Sequence, residues 1–448
     1  MLARIVRWFW PDLSELEVKK YGLLSFAFFF IIGAYWLERP LKDGIFFPVV
    51  GKAWQPTAKI MSVFVVSIMV MVYSKLIDMF EKHRMFYILG TFYAVLFSII
   101  GYCIWLMPNL SSPAEYSPFF KFIGWASYFI IESFGSVIVA LFWSFTSSVS
   151  DAGTAKKCYP FVIAGAQIGS IIGPTLALFA KQLGLGLLFA IVVMAILALM
   201  FVIKKFMAVI PEDQITISKK EADSEKKKTG FMEGLKLLLT RPYLFGIFMV
   251  VTIYEVVGTI VDYQMKVQAE AFYPTKEALT SFLGIFGIAV NGLAFVMALL
   301  GTSYLMKRFG LRFCLLTFPI TLGVAVAILY GVYVGEFVSP WALLWVTFGV
   351  MMLAKGLSYA LNNPSKEMMY IPTSKDAKFK SKGWIDMFGS RGSKALGGVF
   401  TNQFAGEVPT LMAFGTILSL GLIGVWIVAA VFVSSKFAQL TKENKIVE

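Results

Sequence analysis

The sequence predicts an all-α membrane protein of twelve transmembrane helices in two six-helix halves. Three observations lead there. Of 448 residues, 58% are hydrophobic and only 15% charged, where a soluble domain carries about 25% charged residues. Apolar runs of the length needed to cross a ~30 Å hydrocarbon core, about 20 residues, recur from end to end, and mean hydropathy is +0.75. Basic residues, finally, gather in alternate connections. The spans are expected near 21–47, 56–78, 85–107, 117–149, 159–181, 184–206, 242–271, 279–307, 311–334, 339–361, 383–404 and 408–435. The even-numbered connections carry Lys75, Lys82 and Arg84; Lys156 and Lys157; the stretch SKKEADSEKKK; Lys307, Arg308 and Arg312; and Lys375, Lys378, Lys380 and Lys382. The odd-numbered ones, such as PNLSSPAEYSP (108–118) and GEFVSP (335–340), are nearly free of base. Cytoplasmic loops collect Lys and Arg, so both termini are expected in the cytoplasm. The same rule accounts for the net charge of +13 without invoking nucleic acid.

The organisation follows from the one long polar connection. A cytoplasmic amphipathic segment (1–20) leads into a first half (21–206). A basic linker (207–240) joins it to a second half (241–436), and a cytoplasmic tail (437–448) closes the chain. The opening MLARIVRWFWPDLSELEVKK has no apolar core, no small-residue cleavage site, and acids at Asp12, Glu15 and Glu17. It does not read as a signal or transit peptide, which points to a bacterial inner membrane. The halves echo one another. SKLIDMFEKHR (74–84) follows the second span, and SYLMKRFGLRF (303–313) follows the eighth. GAQIGSIIG (165–173) in the fifth span matches GSRGSKALG (389–397) in the eleventh, with Ser170 opposite Lys394. Small-residue runs of this kind let helix backbones approach closely. Two six-helix halves related by a parallel repeat are the major-facilitator plan, whose substrate site lies near the membrane midplane.

Charges inside the spans narrow the function. An ionisable side chain at the bilayer centre costs about 2.5–3.5 kcal/mol and marks a pathway. The mid-span charges are Glu38, Arg39, Lys42 and Asp43 in span 1, and Glu132 in span 4. Span 7 has Glu255, Asp262 and Lys266, span 10 has Lys355, and span 11 has Asp386, Arg391 and Lys394. Glu38 and Lys42 are four apart, as are Asp262 and Lys266, so each couple shares a helix face. Each half is therefore expected to present an acid–base pair. Mutual neutralisation for burial would explain such pairs equally simply. That explanation is weaker in span 1, where Pro40 interrupts the pair and should kink the helix. Arg39, Lys42, Lys266, Arg391 and Lys394 bring five bases into the spans. Convergent bases of this kind suit a multiply charged anion, with Arg offering a fork and Lys a point charge.

Several stretches carry a family resemblance. FWPDLSELEVKK, followed by an apolar span and RPLKDG (39–44), resembles the opening of the nucleotide transporter family, the ATP/ADP translocases of plastids and obligate intracellular bacteria. IESFGSVIVALFWSF (131–145) is similar to that family's acidic fourth span, and GTIVDYQMK (258–266) to its acid-before-lysine stretch. YIPTSKDAKFKSKGWIDMFGSRGSK (370–394) resembles the family most specifically. The resemblance implies a nucleotide substrate moved by alternating access, with Lys42, Glu132, Asp262 and Lys394 at the positions that matter for exchange. Asp262 departs from the family's usual glutamate, Glu38 stands where an apolar residue is more common, and Ala395 follows Lys394 in place of serine. Those departures leave exchange and proton-coupled uptake both open, with Glu38, Glu255 and Asp262 as candidate proton-coupling or gating groups. A proton-coupled carrier of another phosphorylated anion is the alternative.

Other residues say less. Cys103, Cys158 and Cys314 lack metal-ligand spacing, and His83 is the sole histidine. No metal site, cofactor or catalytic constellation is therefore expected, and a membrane-embedded enzyme is disfavoured. Tyr35, Trp36, Tyr128, Phe129 and Trp143 could offer a base platform, although core or lipid packing is the commoner use of such rings. The run SEKKKTG (224–230) reads as a membrane-surface signal. A monomer in a lipid bilayer is expected.

Overall fold

A computed structural model describes residues 13–211, 231–300, 302–405 and 407–447. Residues 1–12 of the expected N-terminal segment and 212–230 of the expected linker lie outside the described residues. The principal helices are α1 (Glu15–Val50), α2 (Gln55–Met79), α3 (Lys82–Trp105), α4 (Pro118–Ser148), α5 (Ala152–Leu178) and α6 (Leu185–Val209). They continue with α7 (Pro242–Phe272), α8 (Lys276–Leu300), α9 (Thr302–Val334), α10 (Pro340–Leu357), α11 (Ser390–Asn402) and α12 (Val408–Lys442). Eleven helices among the described residues are long and apolar enough to cross a membrane. The stretch expected as span 11 is helical from Lys375 to Asn402, through a π-helical turn at Ile385–Gly389. Asp386, Arg391 and Lys394 make it more polar than the other spans.

Local chemistry sets the helix ends. Ser14 caps α1 in a capping box, accepting from the Glu17 amide while the Glu17 carboxylate accepts from the Ser14 amide at 2.7 Å. Such caps satisfy amides that the first turn leaves unpaired. α1 then continues through Pro40 and Pro48 to Val50. Asp151 caps α5 through the Thr154 amide at 2.9 Å. The charged turn expected in 303–313 is built on Gly310, whose φ of 76° lies in the left-handed region that glycine tolerates. α2 turns Met61, Phe64, Ile68 and Met71 outward, an apolar stripe at helical spacing of the kind that faces lipid.

The described helices gather into two compact units. The first takes the described residues of Met1–Gly51, Phe64–Lys227 and Tyr273–Ile288, and the second those of Lys52–Val63, Lys228–Phe272 and Ala289–Glu448. Each unit thus holds one end of a helix whose remainder is grouped with the other. In the first unit α1 lies against α5 along the predicted glycine run. A Cβ on Gly169 would stand 2.5 Å from the Phe29 carbonyl oxygen, and Gly165 and Gly173 abut Ser25 and Gly33 just as tightly. In the second unit α7 lies against α11 and α12. Gly397 meets Thr259, and the buried Gln264 amide donates to the Leu411 carbonyl at 3.0 Å and to Thr416 Oγ1 at 3.1 Å. Gln268 donates to Thr347 Oγ1 at 3.0 Å. These bonds fix the rotation of α7, and with it the direction of its charges.

Candidate substrate-binding site

Each unit carries one constellation of embedded charge. In the first, α1 supplies Glu38, Arg39, Lys42 and Asp43, and α4 supplies Glu132. Lys42 forms an ion pair with Glu132, and its ammonium lies 4.5 Å from the centre of the fully buried Tyr128 ring. Arg39 lies over Trp36 at 4.9 Å and Tyr35 at 5.6 Å, a cation–π arrangement favoured where water is scarce.

The expected Glu38–Lys42 pair is not formed. Glu38 is 0% exposed, and neither of its carboxylate oxygens has a hydrogen-bond partner. Spacing of four residues allows a pair but does not compel one, and α4 presents Lys42 with an acid of its own. Tyr93 of α3 donates to Ser133 Oγ of α4 at 3.0 Å.

In the second unit the expected pair is present. Lys266 donates to Asp262 Oδ2 at 2.6 Å. Two turns earlier on α7, Glu255 accepts from Ser390 Oγ at 3.0 Å, and Lys394 lies 3.6 Å from its other oxygen. The Lys394 side chain is 45% exposed, so its ammonium keeps room for a further partner. Arg391 sits half-buried on α11, one turn before Lys394. Lys355 lies 5.8 Å from the centre of the Tyr254 ring. Asp386 does not join this group, because Lys366 pairs with it in the hairpin between α10 and α11.

Sequence reasoning missed Lys59. Its ammonium lies 3.6 Å from Asp262 Oδ2, the oxygen that already holds Lys266. Lys59 opens the second span and so resembles an ordinary flanking lysine reaching for the interface. The signal available was that it is the only charge between Gln55 and Ser74. Among the aromatics, Trp143 meets Phe28 and Tyr159 edge-on at 5.3 and 5.4 Å, and Phe129 leans on Trp125 at 5.7 Å. These two rings are parts of aromatic clusters, whereas Tyr128, Tyr35 and Trp36 stand next to charge. No group of three or more potential metal ligands occurs among the described residues.

Fold and embedded charges together define a multi-pass membrane transporter of major-facilitator architecture. Solved structures agree on the fold. A bacterial homologue of the iron transporter ferroportin in its inward-facing state superposes with a TM-score of 0.68 at 12% identity, covering 94% of this chain and 100% of that one. A mutant of the nucleoside transporter NupG gives 0.63 at 15% identity, covering 94% and 100%. The profile of the TLC ATP/ADP transporter family matches residues 2–437, and the chain belongs to that family. ADP,ATP carrier protein 1 of Rickettsia prowazekii (strain Madrid E) is 24% identical over 99% of this chain and 98% of its own length. ADP,ATP carrier protein 2, chloroplastic, of Arabidopsis thaliana is 28% identical over 97% and 78%. ADP,ATP carrier protein 1 of Chlamydia muridarum (strain MoPn / Nigg) is 25% identical over 98% and 92%.

Proposed function

We propose that the protein carries adenine nucleotides or closely related nucleotides across a membrane by exchange, through alternating access. The carrying observation is the second unit's group of embedded charges, in which Lys59 and Lys266 both lie on Asp262 and Lys394 lies on Glu255. Three ammoniums over two carboxylates leave a net positive site that a polyphosphate would complete. Full-length membership in a family of ATP/ADP transporters supports the substrate class. In the empty carrier the carboxylates hold the bases in place, and an arriving phosphate competes for them. Lys42 and Glu132 play the same parts in the first unit, Arg39 and Arg391 add forked donors, and Glu255 releases Lys394. The membrane is a bacterial inner membrane with both termini in the cytoplasm, which reporter fusions at each end would check.

Glu38 favours a second reading, proton-coupled uptake. A fully buried carboxylate with no hydrogen-bond partner is better tolerated protonated, and such a group can load and release a proton during the transport cycle. The charged residues that follow it on its own helix are Arg39, Lys42 and Asp43.

One experiment separates the readings. Bacterial cells expressing the protein are given labelled ATP or ADP, with and without an uncoupler, then chased with unlabelled ADP. Exchange predicts uptake insensitive to the uncoupler and label expelled by the chase. Proton coupling predicts the reverse, with Glu38→Gln removing the uncoupler sensitivity. Absence of nucleotide uptake would defeat both. Lys42→Ala and Lys394→Ala should each abolish uptake at unchanged insertion, and full uptake by both variants would make these lysines structural.

A further inference from the structure

Lys59 belongs to α2, yet its part of that helix, Lys52–Val63, is grouped with the second unit. The segment is held firmly there. Lys52 pairs with Glu270 at 2.9 Å, and the Tyr263 hydroxyl donates to the Lys52 carbonyl at 3.1 Å. Thr57 Oγ1 donates to Asn402 Oδ1 at 3.1 Å, and Gly398 abuts the Pro56 carbonyl. The partners run in antiparallel register along α7, Lys52 with Glu270 and Lys59 with Asp262. Lys59 is therefore delivered to Asp262 by a fixed scaffold.

The simplest alternative is that Lys59 neutralises Asp262 for burial. Lys266 already does so at 2.6 Å, on the same helix and to the same oxygen. A second ammonium lies 3.6 Å from the same oxygen, on a side chain only 18% exposed, so Asp262 holds two bases where one would balance its charge. Glu255 and Asp262 lie seven residues apart, a rise of about 10 Å along the helix axis. Lys394 attends one end of that row and Lys59 the other. A row of bases suits an anion whose charges are strung along a chain.

We propose that Lys59 is a specificity-determining ligand for the substrate's phosphate chain, released from Asp262 when the phosphates arrive, and that it sets how many phosphates are preferred. This inference rests on the nucleotide reading for its physiological substrate, and its test has an arm independent of that reading. In transport, Lys59→Gln and Lys59→Ala should raise KM for ATP about ten- to a hundredfold, the range of a charge-assisted hydrogen bond of about 1.5–3 kcal/mol. KM for AMP should change much less, and Lys59→Arg should keep the wild-type order. A merely structural lysine would lower transport of ATP, ADP and AMP by one common factor, which would overturn the proposal. In the independent arm, purified protein in detergent is heated with sodium tripolyphosphate, pyrophosphate or orthophosphate. Wild type should be stabilised most by tripolyphosphate, and Lys59→Gln should lose that preference while remaining folded. Equal stabilisation of the two proteins, or none of wild type, would overturn it. Absence of nucleotide uptake alongside a Lys59-dependent tripolyphosphate shift would defeat the nucleotide reading and leave the phosphate ligand standing.

Discussion

Glu38 and Asp262 each precede a lysine by four residues on a membrane helix, and their surroundings separate them. Asp262 holds Lys266 and Lys59, while Glu38 is fully buried with neither oxygen bonded. Outside the membrane the same side-chain chemistry serves simpler ends. Asp151 sits between α4 and α5, and the hydrogen bonds it accepts from Thr154, side chain first and backbone second, hold its carboxyl below the usual range. A lowered acid stabilises the fold above its ordinary value of about 3.9, and that contribution fades as pH falls further. Asp151→Ala should cost about 1 kcal/mol, read as a lower melting temperature at neutral pH, with the deficit shrinking toward pH 3. Of the site, the Asp262–Lys266 pair was legible in the sequence because both partners lie on one helix turn. The Lys42–Glu132 pair spans 90 residues of sequence, so spacing could not pair them, although both stood among the mid-span charges and at the positions the resemblance implied. Lys59 was hidden by its place at the edge of a span.

At the scale of elements, close helix contact is what glycine supplies. The run GAQIGSIIG was expected to let backbones approach, and Gly165, Gly169 and Gly173 do so against α1. Its counterpart GSRGSKALG behaves differently. Gly389 and Gly397 are tight, but a Cβ on Gly392 would meet nothing within 4 Å, so the echo between halves marks position more than packing. Gly169→Ala should destabilise the protein by about 1–3 kcal/mol through overpacking. Gly421→Ala on α12, where a Cβ would meet nothing within 4 Å, should be neutral or stabilising by up to about 1 kcal/mol. Thermal unfolding of the two variants in detergent checks the contrast. Span 11 shows what hydropathy cannot see. Its polarity weakens its apolar signal, yet it carries Arg391 and places Lys394 3.6 Å from Glu255.

At the scale of the molecule, twelve helices and a polar linker near residue 220 suggest two self-contained halves, and the chain is not partitioned that way. The outer turns of α2 belong to the second unit, and Tyr273–Ile288, at the start of α8, to the first. Buried Lys276 donates to the carbonyls of Met107 and Pro108 at 3.3 and 2.7 Å, and Gly44 abuts Thr280. The exchange is reciprocal, between spans 2 and 8, which correspond in the expected repeat. Sequence periodicity located both helices, but only tertiary contact could say which unit each end would join. A gene cut within the linker would therefore encode two fragments, each missing a piece of its own fold and carrying a piece of the other's. Expressed singly, both should be degraded; expressed together, they should reconstitute a stable transporter, measurable as protein recovered per cell.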